Sequence, residues 1–127
     1  MNEDSRPVNL DLGKMAWPVT AIASILHRIA GGALFVAVGF MLYALELSLT
    51  SEAEFLRLKA MMSHPVGMFI TWGILAALGY HLVAGIKHLL LDFEIGDTLE
   101  GATFGARVTL LFGSILILLA AIWVLQS

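Results

Sequence analysis

The chain has 127 residues, 59% of them hydrophobic and 13% charged, with a formal net charge of −3 and no cysteine. Soluble domains are about a quarter charged, so this composition, with a mean hydropathy of +0.89, excludes an ordinary soluble domain and indicates an integral membrane protein. Seven basic residues spread without a cluster argue against nucleic-acid binding, and the lack of cysteine excludes a disulfide, a cysteine-ligated iron–sulfur cluster or a zinc–thiolate site in this chain.

The N-terminal segment MNEDSRPVNLDLGKMAWP is acidic and polar at its start. A secretory signal begins basic and then apolar, and a mitochondrial transit peptide is rich in arginine and poor in acids. Neither pattern fits, so a bacterial inner-membrane protein is expected. The predicted fold is all-α: one domain over 1–127, an integral membrane bundle of three transmembrane helices with spans at about 19–47, 66–91 and 106–125.

The first span follows Pro18, which suits a helix start because its missing N–H has no partner there in any case. Within it, SILHRIAGG carries Ser24, His27, Arg28 and Gly31 at the spacing that shares one helix face. An arginine near the bilayer midplane costs about 2.5–3.5 kcal/mol on insertion scales. Two readings follow. Arg28 snorkels to the cytoplasmic headgroups and His27 is incidental, or the three polar side chains form one site for a polar ligand, where arginine would pair with a carboxylate or polarise a carbonyl. Gly31 and Gly32 leave room for close packing beside the stripe.

The first loop, SEAEFLRLKAMM, contains Ser51 and Glu54 at capping-box spacing and predicts a short interfacial helix, with Phe55, Leu58 and Met62 on the lipid side. His64, beside Pro65, reads as a surface residue at the far interface. The second span ends in GYHLVAGIKHLLLD, which holds His81 and, seven residues on, His88. The two share a face about 10.5 Å apart along the axis, so they cannot grip one iron from opposite sides. A histidine at depth needs a hydrogen-bond partner or a metal, and haem iron is a frequent intramembrane answer. Gly73, Ala77 and Gly85 lie at steps of four around His81. They form a smooth groove, suited to a flat ligand or to close packing of another helix.

The charged DFEIGDTLEGATFG leads to the third span, where Gly113 and Ser114 are small enough for close helix contact. Arg6, Lys14, Lys87 and Arg107 flank one membrane face and Arg57 and Lys59 the other, which predicts a cytoplasmic N-terminus. The first helix then enters, and the second returns, at the same face, so Arg28 and His81 are at similar depth, each about ten residues in.

Two long motifs, RPVNLDLGKMAWPVTAIASILHRIAGG and HLVAGIKHLLLD, resemble the cytochrome b membrane-anchor subunit of succinate dehydrogenase, respiratory complex II, with a likeness that spans the chain. The resemblance implies that His81 is an axial ligand of a haem b shared with a second anchor subunit. It implies that Ser24 and Arg28 line a ubiquinone pocket, with ubiquinone as substrate, and that His27 and Arg28 contact the haem propionates. His88 is a further candidate on the His81 face. The implied partners are a flavoprotein subunit, an iron–sulfur subunit, a second small membrane-anchor subunit and the lipid bilayer. Flavin and iron–sulfur clusters would reside in those subunits, so this chain alone would not oxidise succinate. Lys87, Ala30 and Leu91 depart from the usual family residues (arginine, serine or threonine, and an aromatic or methionine) and bear on the finer contacts of the pocket. An anchor of a quinol–fumarate reductase, or a purely structural anchor without essential haem, are the competing expectations.

Overall fold

The computed structural model describes residues 18–127, and Arg6, Pro7 and Lys14, with the rest of the N-terminal segment, lie outside them. Four helices follow one another: α1 (Val19–Thr50), α2 (Glu52–Ser63), α3 (Pro65–Asp92) and α4 (Leu99–Gln126). Of these, α1, α3 and α4 are long and apolar enough to cross a membrane, and α2 is the short helix expected in the first loop.

Each boundary has a local cause. Pro18 stands just before α1 in extended conformation, with φ −67° and ψ 152°. At 32 residues α1 is about 48 Å long, against a hydrocarbon core of about 30 Å, so its last turns project beyond the apolar layer. There Ser48 and Thr50 return their hydroxyls to the carbonyls of Leu45 and Glu46, each at 2.7 Å. Ser51 turns the chain, and its Oγ accepts the Glu54 N–H at 3.1 Å, as the capping-box spacing predicts. The Glu54 carboxylate takes Arg57 as its partner, also at 3.1 Å.

His64 makes the next turn. Its Nδ1 accepts the Val66 N–H at 3.2 Å, and Pro65 begins α3. Gly67 is required at this corner, because a Cβ there would collide with the Met61 carbonyl. At the other end of α3 the chain leaves the helix through Glu94 at φ 60° and Gly96 at φ 71°. The third transmembrane helix begins at Leu99, seven residues before the expected boundary. The charged segment conceals a helix start: the Thr98 hydroxyl accepts the Gly101 N–H at 3.0 Å, and Glu100 places a negative charge in the first turn.

α3 packs against both α1 and α4, and α2 lies against α1 and α3. The buried positions are mostly small: Ala23, Ala30 and Ala37 on α1, Ala84 on α3, Ala106, Thr109 and Gly113 on α4. Apolar lipid tails supply no hydrophobic force between helices, so association rests on close van der Waals approach and hydrogen bonds, which small residues permit. The alanines of α1 recur every seven residues at 23, 30 and 37, with Ala44 half-buried next in the series. That period keeps one seam facing the neighbouring helices.

Tyr80, 6% exposed, is the one aromatic among the buried side chains of the described residues. Its hydroxyl donates to the Ala23 carbonyl at 2.8 Å. Its ring lies over Gly113, where a Cβ would sit 2.5 Å from Cδ2. One side chain of α3 therefore bonds to α1 and packs on α4. Trp72 adds a second tie to α4, its indole N–H donating to the Ile117 carbonyl at 3.1 Å. Of the two small residues expected at a contact, Gly113 is buried and Ser114 is exposed.

Gly113→Val should destabilise the bundle by about 1–3 kcal/mol through overpacking against the Tyr80 ring. Tyr80→Phe should cost about 0.6 kcal/mol, the typical worth of one interhelical hydrogen bond in a membrane. Thermal denaturation of the purified protein in detergent should rank the two in that order.

Candidate functional site

The polar stripe of α1 and the histidines of α3 meet. His27 enters the gap between His81 and His88. Its ring stacks on His81 with centroids 4.3 Å apart and planes inclined by 18°, and it tilts against His88 at 4.8 Å and 38°. The gap exists because the residue between the two histidines on that face is Gly85, and a Cβ there would already touch His27 Nε2 at 4.0 Å. The groove is therefore filled at this level by α1 itself, through an imidazole, rather than left open for a flat ligand. Further along, Ala77 packs beside Ala30, Tyr80 and Ala84, while Gly73 has nothing within 4 Å of its Cβ position.

The His81 ring also has a defined polar contact. Its Nδ1 lies 3.3 Å from the backbone carbonyl of His27. A carbonyl only accepts, so this contact is a hydrogen bond in the tautomer that carries its proton on Nδ1, which leaves the Nε2 lone pair free. Gly31 makes this approach possible: a Cβ there would stand 3.2 Å from His81 Cε1. The Ala23 and His27 carbonyls are one helical turn apart on α1, and they receive Tyr80 and His81, neighbours on α3.

The remaining stripe residues flank this contact. Ser24 is half-buried and Arg28 is exposed, so the stripe runs from the helix interface at His27 to an open edge at Arg28. Gly32 has no neighbour within 4 Å of its Cβ position. His64, at the opposite end of α3, serves as the helix cap described above. The positions that depart from the family pattern each have a defined place. Ala30 packs against Tyr80 and Ala84, so a hydroxyl there would enter the helix interface rather than a pocket. The Lys87 stem passes the Gly105 backbone of α4, 3.6 Å from its Cβ position, and Leu91 lines the apolar cleft between α3 and α4.

The donor set suits a haem more than a bare metal ion. No group of three or more His, Cys, Asp or Glu among the described residues is arranged to hold a metal, and the stacked rings of His27 and His81 do not converge on one point. A single axial ligand has different needs: one nitrogen free, the other held by an acceptor, and a ring that small neighbours admit. His81 meets the second and third needs through the His27 carbonyl and Gly31, and the Nδ1–H tautomer that this contact suits meets the first.

Tyr80 and the interposition of His27 were not anticipated from sequence. A glycine placed four residues after one histidine and three before the next was the available signal, since it marks a vacancy between two rings on one face. The alanine period on α1 was a second.

Residues 2–123 match the family model described as succinate dehydrogenase/fumarate reductase transmembrane subunit. The chain is 36% identical over 120 residues to a succinate dehydrogenase cytochrome b556 subunit of Coxiella burnetii, covering 94% of this chain and 96% of that one. It is 32% identical over 117 residues to the protein of the same name from Paracoccus denitrificans, covering 92% and 89%. The chain belongs to the succinate dehydrogenase/fumarate reductase transmembrane-subunit family, and with its three apolar helices it is a multi-pass membrane anchor.

Gly31→Ala should press on the His81 ring and lower the thermal denaturation midpoint in detergent. Gly85→Ala, whose new methyl meets His27 only at van der Waals distance, should leave the midpoint unchanged or raise it, since alanine is the better helix former by about 1 kcal/mol.

Proposed function

We propose that this family member anchors a succinate–ubiquinone oxidoreductase in the bacterial inner membrane with its N-terminus in the cytoplasm, holding haem b jointly with a second anchor subunit and forming part of the quinone-reduction site. The observation that carries the proposal is the His81 imidazole, seated against Gly31 with Nδ1 directed at the His27 carbonyl. That arrangement supports His81 as the residue that would hold the haem iron through Nε2. Both relatives are named cytochrome b556, which also supports haem b. The second axial ligand would come from the companion anchor, because His88 lies on the same side of the same helix. When bound, the haem supplies a one-electron carrier beside the quinone.

Ser24 and Arg28 are assigned to the quinone. Ser24 would hydrogen-bond a quinone oxygen, and Arg28, one residue beyond the His27 wedge, would stabilise the negative charge that develops on that oxygen during reduction. Two electrons and two protons convert the quinone to quinol. The partner subunits, with their flavin and iron–sulfur clusters, would supply the electrons from succinate, and the protons would come from the cytoplasmic side. His27 and Arg28 would face the haem propionates, with the guanidinium available for bidentate pairing to a carboxylate. The direction of electron flow is set by the partner subunits and the quinone potential, so an anchor of a fumarate reductase would use the same residues.

His81→Leu should abolish or shift the haem b absorption bands of the assembled complex, and an unchanged spectrum would move the ligand elsewhere. Arg28→Leu should reduce succinate–quinone activity by 10-fold or more, on the scale of about 1.4 kcal/mol per decade, while succinate oxidation by an artificial acceptor stays near normal. Equal loss in both assays would assign Arg28 to assembly instead.

A further inference from the structure

We propose that His88 is a positioning residue for His81, acting through the ring of His27. The proposal rests on the reading of His81 as haem ligand. His88 itself cannot serve the same iron, because the His27 ring lies between the two α3 histidines.

The His27 ring has three walls, all supplied by α3. His81 covers one face at 4.3 Å, His88 closes the other at 4.8 Å, and Gly85 lies at its edge. The residue that supplies this wedge also supplies the acceptor, since the carbonyl facing His81 Nδ1 is that of His27. The α1 ladder fixes the carbonyl, and the His27 ring, stacked on His81, holds the plane of the His81 imidazole so that Nδ1 faces it. At 3.3 Å the contact is already just beyond the usual 2.7–3.2 Å range for N–H···O. A shift of a few tenths of an ångström breaks it. Removing His88 opens the side of the His27 ring away from His81, lets that ring swing off the stack, and frees the His81 imidazole to turn its Nδ1 from the carbonyl.

A purely structural role predicts something else. The bundle is held by the Tyr80–Ala23 and Trp72–Ile117 bonds and by the Tyr80 ring on Gly113, none of which involves His88. Loss of His88 should therefore spare assembly and alter the ligand. An imidazole whose Nδ1–H is held by a carbonyl is a stronger electron donor at Nε2 and favours ferric iron. Weakening that bond raises the haem midpoint potential.

The test is a redox titration of the haem in the whole purified complex, read from its absorption bands, with haem content measured alongside. His88→Leu fills the volume without a ring and should shift the potential upward with haem retained. His88→Phe restores a flat ring and should return the potential to the wild-type value. His27→Ala should shift it in the same direction, and His88→Leu added to His27→Ala should shift it no further, as two changes on one route do not add. An unchanged potential in His88→Leu, equal shifts in the leucine and phenylalanine variants, or additive shifts in the double variant would overturn the proposal. If His88→Leu yields a complex without haem, retention of haem at wild-type potential in His88→Phe supports it and loss there overturns it. The underlying reading fails separately, through a haem spectrum that survives His81→Leu.

Discussion

Inside a bilayer a phenol hydroxyl or an imidazole N–H has no water to bond, so each must find an acceptor within the protein. α3 presents one of each, on Tyr80 and His81, and α1 receives them on carbonyls one turn apart, at Ala23 and His27. A helical carbonyl has a second lone pair beyond the one used by its own helix, so α1 accepts both without losing its ladder. Other features of the interface serve that approach. Alanines at 23, 30 and 37 let the backbones come close, Gly31 admits the His81 ring, and Gly113 lets Tyr80 reach across from the α4 side. The register of α1 on α3 is in this way set by polar groups, and the small residues allow it.

The fold was largely legible from the sequence, because membrane helices advertise themselves by length and hydropathy and their ends by proline and capping residues. Ser51 and Pro65 marked their boundaries correctly. The helix α4 begins ahead of the apolar span because hydropathy reports immersion rather than helicity: Leu99 to Gly105 is helical but carries a charge and two glycines. The candidate residues were legible by type and spacing, and the common depth of the α1 stripe and His81 is visible in their contact. Pairing across helices was the less legible part. Two histidines seven apart define a gap, but what fills it depends on the rotation and height of a different helix. That choice follows from Tyr80, whose tie to Ala23 reads in sequence as one more aromatic residue in an apolar run.

The same interior explains how much of the chain remains exposed. Three helices with small contact residues bury little, and large apolar side chains such as Phe35, 85% exposed, point outward. In a membrane this surface meets lipid or other apolar helices at no cost in hydration. Membership in a family of anchor subunits adds a reason for it. Arg28 stands out on that exterior, a charged side chain exposed beside the His81–His27 contact between α1 and α3.

The connections between helices distribute stiffness unevenly. Ser51 alone joins α1 to α2 and His64 alone joins α2 to α3, each with its side chain capping the helix that follows. Between α3 and α4 the chain has the stretch 93–98, with two left-handed residues and no such one-residue clasp. One end of the bundle is consequently a braced corner, with α2 as a strut across α1 and α3, and the other is a compliant joint. Any breathing that lets a bulky lipid-soluble molecule pass between helices is directed to the joint end, toward which the histidine stack lies, while the strut keeps the opposite end closed.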